Sequence, residues 1–308
     1  MFSTPFAWLL FSLAVVGLLA ADFAIFRGRS HVSLRRAGLW SAIWLAIGLL
    51  FGALLWVTDG GDVGEAYIAG YLLERSLSVD NVFVFALIFA AFGVPAAAQQ
   101  RALTLGIVGA ILARVVFIAA GVALIHMFHW LIFVLGALLI FTGVNMARRQ
   151  EEKLDPERNL ALRLLRRLMP LTPSFHGERL TVHENGRRIA TPMLAVVVVL
   201  ASTDVLFALD SIPAIFAITT EPVIVLTSNV CAMLGLRATY LLLAGMIERF
   251  VYLKQGLAAI LVLAGAKMLV GDWIEVPVWT SLVAIAIILA IAVVASVRSP
   301  GAHEPAST

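Results

Sequence analysis

An all-α, polytopic bundle of about nine transmembrane helices is the architecture this chain encodes, and three observations carry that expectation. The 308 residues are 61% hydrophobic and only 13% charged, with a mean hydropathy of +0.99, far more apolar surface than a soluble core of this size can hide. Apolar runs of about 20 residues, the length that crosses a bilayer, recur at roughly 6–26, 37–57, 66–93, 101–124, 129–147, 191–219, 222–248, 253–271 and 277–297. The Lys and Arg residues fall in alternate loops between these runs.

The first run, Phe6 to Phe26, is a full span rather than a short signal-peptide core with a small-residue cleavage site, so it reads as a retained helix. The loop after it carries Arg27, Arg29, Arg35 and Arg36, and the third loop carries Arg101. Ten Lys/Arg lie between the fifth and sixth spans, among them Arg148, Arg149, Arg187 and Arg188. Arg249 and Lys254 mark the next basic loop, and Arg298 the tail. The intervening loops hold Asp59, Asp62 and Glu65, then His126 and His129, then Glu221, then Asp272 and Glu275. Nine spans with this charge pattern place the N-terminus outside and the C-terminus in the cytoplasm. Trp8, Trp40, Trp56, Trp130, Trp273 and Trp279 sit near span ends and read as interface anchors in the lipid bilayer.

The pI near 9.3 therefore reflects loop arginines. No basic stripe interleaves with aromatics, so nucleic acid is not an expected partner. The single cysteine, Cys231, has no disulfide partner in the chain and reads as an apolar filler. The segment 148–190 is the one sizeable polar insert. In it Leu160, Leu164, Leu165 and Leu168 recur at helical spacing against Arg163, Arg166 and Arg167, the pattern of an amphipathic helix lying on a membrane surface. A plain cytoplasmic tether and a sensor both fit it.

Two spans break the apolar rule at their centres. Glu74-Arg-Ser-Leu-Ser-Val-Asp80-Asn81 lies within Tyr67 to Val94, and Asp204-Val-Leu-Phe-Ala-Leu-Asp210-Ser211 lies within Thr191 to Thr219. An acid at the bilayer centre costs roughly 2.5–3.5 kcal/mol, so four together oppose insertion by on the order of 10 kcal/mol. That cost persists only where something cationic meets them.

The order of marks repeats. The first unit runs Glu74, Asp80, Arg114, then Gly143-Val-Asn-Met146; the second runs Asp204, Asp210, Arg237, then Gly265-Ala-Lys-Met268. Arg114 to Gly143 is 29 residues and Arg237 to Gly265 is 28. Each unit has three spans, an odd number, so the second enters from the opposite face, as in the inverted repeats of secondary transporters. The chain 1–308 is thus read as a single membrane domain. It comprises two accessory helices, a repeat over 66–147, the insert at 148–190, a repeat over 191–271 and a last helix at 277–297.

Six residues along a regular helix turn Glu74 and Asp80, or Asp204 and Asp210, to different faces. Either only one acid of each pair faces a common site or the helix is interrupted between them. Ser76, Ser78 and Pro213 favour interruption.

The four acids with Asn81 and Ser211 form an all-oxygen set, suited to Mg²⁺, Ca²⁺ or Mn²⁺ rather than to ions that favour imidazole or sulfur. The competing structural readings are that Glu74 pairs with Arg75 or Arg114, and that Asp204 caps a half-helix. Arg114, Arg237 and Lys267 are expected to neutralise these acids when no ion is bound. No Ser/Lys dyad, paired-histidine metalloprotease helix or glycine-rich nucleotide loop is present, so enzymatic activity and a permanently bound cofactor are not expected.

GYLLERSLSVDNVFVFALIF at 70–89 and ASTDVLFALDSIPAIFAIT at 201–219 resemble the signature helices of the TerC family, and Gly265-Ala-Lys267-Met268 resembles its later helix. This family of integral membrane proteins is named for tellurium resistance and includes Alx-type manganese exporters. The resemblance spans roughly 40–300. It implies a bacterial inner-membrane protein that exports Mn²⁺ or another hard divalent cation. It also implies that Glu74, Asp80, Asn81, Asp204, Asp210 and Ser211 handle the ion. Alternating access at the midplane, with protonation of the acids releasing the ion, is the expected mechanism, because a neutral acid is cheaper to bury than a charged one. The competing expectation is a non-transporting membrane component of a tellurite or stress complex.

Overall fold

The computed structural model describes residues 5–26, 33–148, 159–184, 187–243, 252–271, 273–274 and 276–298. The spans form α1 (Pro5–Phe26), α2 (Leu34–Asp59), α3 (Gly61–Ala91), α4 (Ala96–Met127) and α5 (Leu131–Arg148). The insert contributes α6 (Leu160–Leu168) and a hairpin of β1 (Thr181–Glu184) and β2 (Arg187–Ala190). The chain then continues through α7 (Pro192–Phe216), α8 (Pro222–Met233), α9 (Leu236–Leu243), α10 (Leu253–Val270) and α11 (Val278–Arg298). Six of these helices are long and apolar enough to cross a membrane, and the bent pair α8–α9 makes a seventh. Helix α3 is 31 residues long and departs from that standard by carrying Glu74, Arg75 and Asp80; α10 is 18 residues long. These two occupy the third and eighth of the expected positions, so the described residues place a helix or a helix pair at each of the nine, and the fold is an all-α polytopic membrane bundle.

The lipid-facing surface is explicit in α1, where Leu9, Leu10, Leu13 and Val16 are all exposed. Inside the bundle, α5 lies along α10, α4 packs on α7, and α3 packs on α8, with α2 against α3. Apolar attraction does not separate helix from lipid, so close approach must come from small residues. At the α5–α10 contact a Cβ on Gly143 would meet the Ala258 carbonyl at 2.7 Å and Val262 at 2.8 Å. A Cβ on Gly265 would meet the Gly136 carbonyl at 2.5 Å and Ile140 at 2.9 Å. The two sets differ by the same 122 positions throughout (265 − 143, 258 − 136, 262 − 140), so each helix presents to the other what the other presents to it.

The chain break lies elsewhere than expected. Helix α3 runs unbroken through Ser76 and Ser78, because the Ser76 hydroxyl donates to the Leu72 carbonyl one turn back without displacing the ladder. Helix α7 is likewise continuous, with Pro213 in its last turn. The interruption falls instead between α8 and α9, which meet at a 43° bend. Gly235 adopts φ +80 there, and a Cβ at that position would collide with the Trp44 side chain. Only glycine satisfies both demands. Arg75 of α3 holds the break, donating from Nη1 to the carbonyls of Ala232 (3.0 Å) and Leu234 (3.1 Å), and from Nη2 to the Thr239 hydroxyl (2.8 Å). The seventh expected span, 222–248, is thus two helices, and its last residues lie outside the described ones.

The hairpin was not anticipated. Its antiparallel register pairs Thr181 with Ala190 and Glu184 with Arg187. The strands flank Asn185-Gly186, a dipeptide that is a strong hairpin signal.

Candidate functional site

Helices α3, α4, α7 and α8 converge on one buried guanidinium. Arg114, 1% exposed, reaches from α4 between Glu74 of α3 and Asp204 of α7, both fully buried. Its Nε donates to Asp204 Oδ2 at 2.9 Å and its Nη2 to Asp204 Oδ1 at 3.2 Å, a two-pronged pair. Its Nη1 donates to Glu74 Oε1 and also to Asn229 Oδ1 of α8 (3.1 Å) and Ser211 Oγ (3.3 Å). Asn81 Nδ2 donates to Asp204 Oδ1 at 3.5 Å.

The charge sum is the first chemical fact about this cluster. Two carboxylates meet one guanidinium, so the site carries an excess negative charge when both acids are ionised. Burial away from water makes that charge costly. Three buried polar atoms of the site, Glu74 Oε2, Ser78 Oγ and Asn229 Nδ2, have no hydrogen-bond partner. Glu74, Ser78 and Asn81 stand at i, i+4 and i+7 of α3 and so share one face of that helix. The arrangement can therefore offer oxygen atoms to a further cation beside Arg114.

Of the six residues expected to handle an ion, Glu74, Asn81, Asp204 and Ser211 are brought together around Arg114. Asp210 is not; it is half-buried and accepts a hydrogen bond from the Thr142 hydroxyl of α5 at 3.1 Å. Asp80 lies in α3, and its side chain falls outside the described ones. In α7 the interval of six residues falls on a continuous helix, which turns Asp210 off the face of Asp204. Among the described residues no three His, Cys, Asp or Glu side chains converge as a metal-binding group.

Arg114 neutralises the acids as expected, but its two supposed counterparts do not. Arg237 is engaged with Asp22 of α1, Nε to Oδ2 at 3.6 Å, and also donates to the Asp22 and Gln100 carbonyls. Lys267 donates to Ser281 of α11 at 2.9 Å. Asn229 and Ser78 were not anticipated as members of the site. For Asn229 the signal was Thr227-Ser228-Asn229, a polar run inside an apolar span.

The model of the "Integral membrane protein TerC family" matches residues 60–302. The chain is 46% identical over 305 residues to the uncharacterized membrane protein STKORF319 of Myxococcus xanthus, covering 99% of this chain and 95% of that one. It is 44% identical over 289 residues to Alx of Escherichia coli strain K12, named as a candidate membrane-bound redox modulator, covering 91% of this chain and 90% of that one. A membrane protein of Rickettsia felis is 34% identical over 292 residues, covering 94% and 97%. No solved structure matches the chain.

Proposed function

Because the chain belongs to the TerC family of integral membrane proteins, we propose that it exports a hard divalent cation, Mn²⁺ foremost, by alternating access. The carrying observation is the buried cluster in which Glu74 and Asp204 outnumber the single Arg114 and leave Glu74 Oε2 and Ser78 Oγ without partners. Arg114 serves in this reading as a tethered cation. It balances the acids while no ion is present, and the arriving metal takes over part of that balance through carboxylate, hydroxyl and amide oxygens, the donor set such ions favour.

Export and the bacterial inner membrane rest on the family resemblance. The outside N-terminus belongs to the same proposal, supported by the arginines of alternate loops. So does the inverted repeat. Its support is the exchange of contacts at Gly143 and Gly265, together with the crossed packing of α4 on α7 and of α8 on α3. Two triplets related in that way rock about the site between them.

The test is flux in proteoliposomes enclosing a Mn²⁺-sensitive dye, with Ca²⁺ and Mg²⁺ as competitors. Wild-type protein carries Mn²⁺ across, and Asn81→Ala and Ser211→Ala protein carries it more slowly. Wild-type vesicles no leakier to Mn²⁺ than empty ones overturn the reading. A flux indifferent to an imposed pH gradient removes proton coupling.

A second reading, a non-transporting membrane component of a resistance or stress complex, draws on a specific observation. Arg114 occupies both oxygens of Asp204, as a purely structural ion pair would. Under that reading wild-type protein carries no ion and the Asn81 and Ser211 substitutions change assembly instead.

A further inference from the structure

The insert presents a surface that the transport reading does not use. Helix α6 buries Leu162 in the core shared with Met193, Val196 and Val199 of α7. Its other side shows Leu160, Leu164 and Leu168 at 80%, 55% and 72% exposure. At 100° per residue these three lie one turn apart on a single face, with Arg163 and Arg167 along one flank and Arg166 beyond them. All three arginines are exposed.

The depth of this face follows from its anchorage. Asn159 caps α6, accepting from the Leu162 amide at 3.1 Å. The same side chain donates to the Ser202 hydroxyl at 3.0 Å. Ser202 is ten residues into α7, so roughly 15 Å along a helix apolar enough to span the membrane. The far end of the insert returns to the start of α7, where Leu171 pairs with Ala190. Helix α6 therefore lies antiparallel along the first half of a membrane span, with its leucine stripe turned outward at that depth.

We propose that α6 is a half-inserted helix that binds acidic phospholipid. Leu160, Leu164 and Leu168 lie among acyl chains, while Arg163 and Arg167 on their flank reach the headgroup phosphates. Three facts favour lipid over a soluble partner. The stripe runs alongside a spanning helix, an apolar face there meets acyl chains at no cost, and the charge beside it complements an anionic headgroup.

Two measurements test it. In native mass spectrometry from mixed micelles, wild-type protein retains phosphatidylglycerol in preference to phosphatidylcholine. Each of Arg163→Gln and Arg167→Gln lowers that preference about fivefold, and Arg166→Gln, turned away from the stripe, lowers it less, all with unchanged melting in neutral detergent. Equal retention of both lipids by wild-type protein overturns the proposal. In the second, Leu164→Cys in a Cys231→Ala background carries an environment-sensitive dye in liposomes. The dye reads an apolar surrounding; a water-like signal overturns the proposal. A variant that misfolds is recognised by its melting curve, and the Leu164→Cys reading, made on the native arginines, then decides.

Discussion

Arg114 and Asp204 are joined by two hydrogen bonds, Nε to Oδ2 at 2.9 Å and Nη2 to Oδ1 at 3.2 Å, across the packed faces of α4 and α7. The guanidinium has a fixed fork, so this pairing sets its orientation and leaves Nη1 for Glu74, Ser211 and Asn229. Asp204 thus orients the cation and Glu74 shares it, with one oxygen left over.

Removing the cation exposes that dependence. Arg114→Met leaves two buried carboxylates uncompensated and lowers stability by about 3–5 kcal/mol. Adding Glu74→Gln and Asp204→Asn removes the stranded charge and restores much of the loss. Thermal unfolding of the purified proteins reads both. A triple variant no more stable than Arg114→Met would show that charge is not what the cluster balances.

The two acids of the α7 motif separate in their effects. Asp204→Asn strands part of Arg114 and costs about 3–5 kcal/mol. Asp210→Asn disturbs a single hydrogen bond from Thr142 and costs about 1 kcal/mol. Parallel melting curves decide, and comparable losses would place Asp210 in the cluster after all.

Gly143→Ala and Gly265→Ala each push a methyl into the facing backbone carbonyl and cost about 1–3 kcal/mol. The two losses match in size because the contacts exchange. A large loss at one glycine with none at the other contradicts the two-fold relation of α5 and α10.

Gly235→Ala forces an L residue into φ +80, at roughly 1–2 kcal/mol, and adds a collision with Trp44. Combining it with Trp44→Gly relieves only the collision, because an alanine there would keep the Cβ that lies 2.5 Å away; the double variant, compared with Trp44→Gly alone, still shows the backbone penalty. Additive melting shifts of the two changes would mean the collision is absent.

The spans were legible because a bilayer demands about 20 apolar residues and the loops between carry the orienting charge. The acids were legible because charge is conspicuous there. Their partners were not. Arg114, Arg237 and Lys267 look alike in sequence, yet the first closes the cluster, the second meets Asp22 and the third meets Ser281. Which acid a cation meets depends on helix rotation and tilt, which hydropathy does not encode. The break was misplaced for a related reason. Ser76 is tolerated inside α3 by a bond to the turn before it and Pro213 by its place in the last turn of α7, whereas the decisive glycine at 235 is one of 23 and is marked only by its φ and its contact with Trp44.

The ion pair between Asp22 and Arg237 joins residues made 215 positions apart. During synthesis the first helix enters the membrane with an acid one turn from its end, before the counterion on α9 exists. Sealing of α1 into the bundle therefore waits for α9. The chain assembles with its earliest segment docking among its last, and a truncation before Arg237 leaves that segment without its anchor.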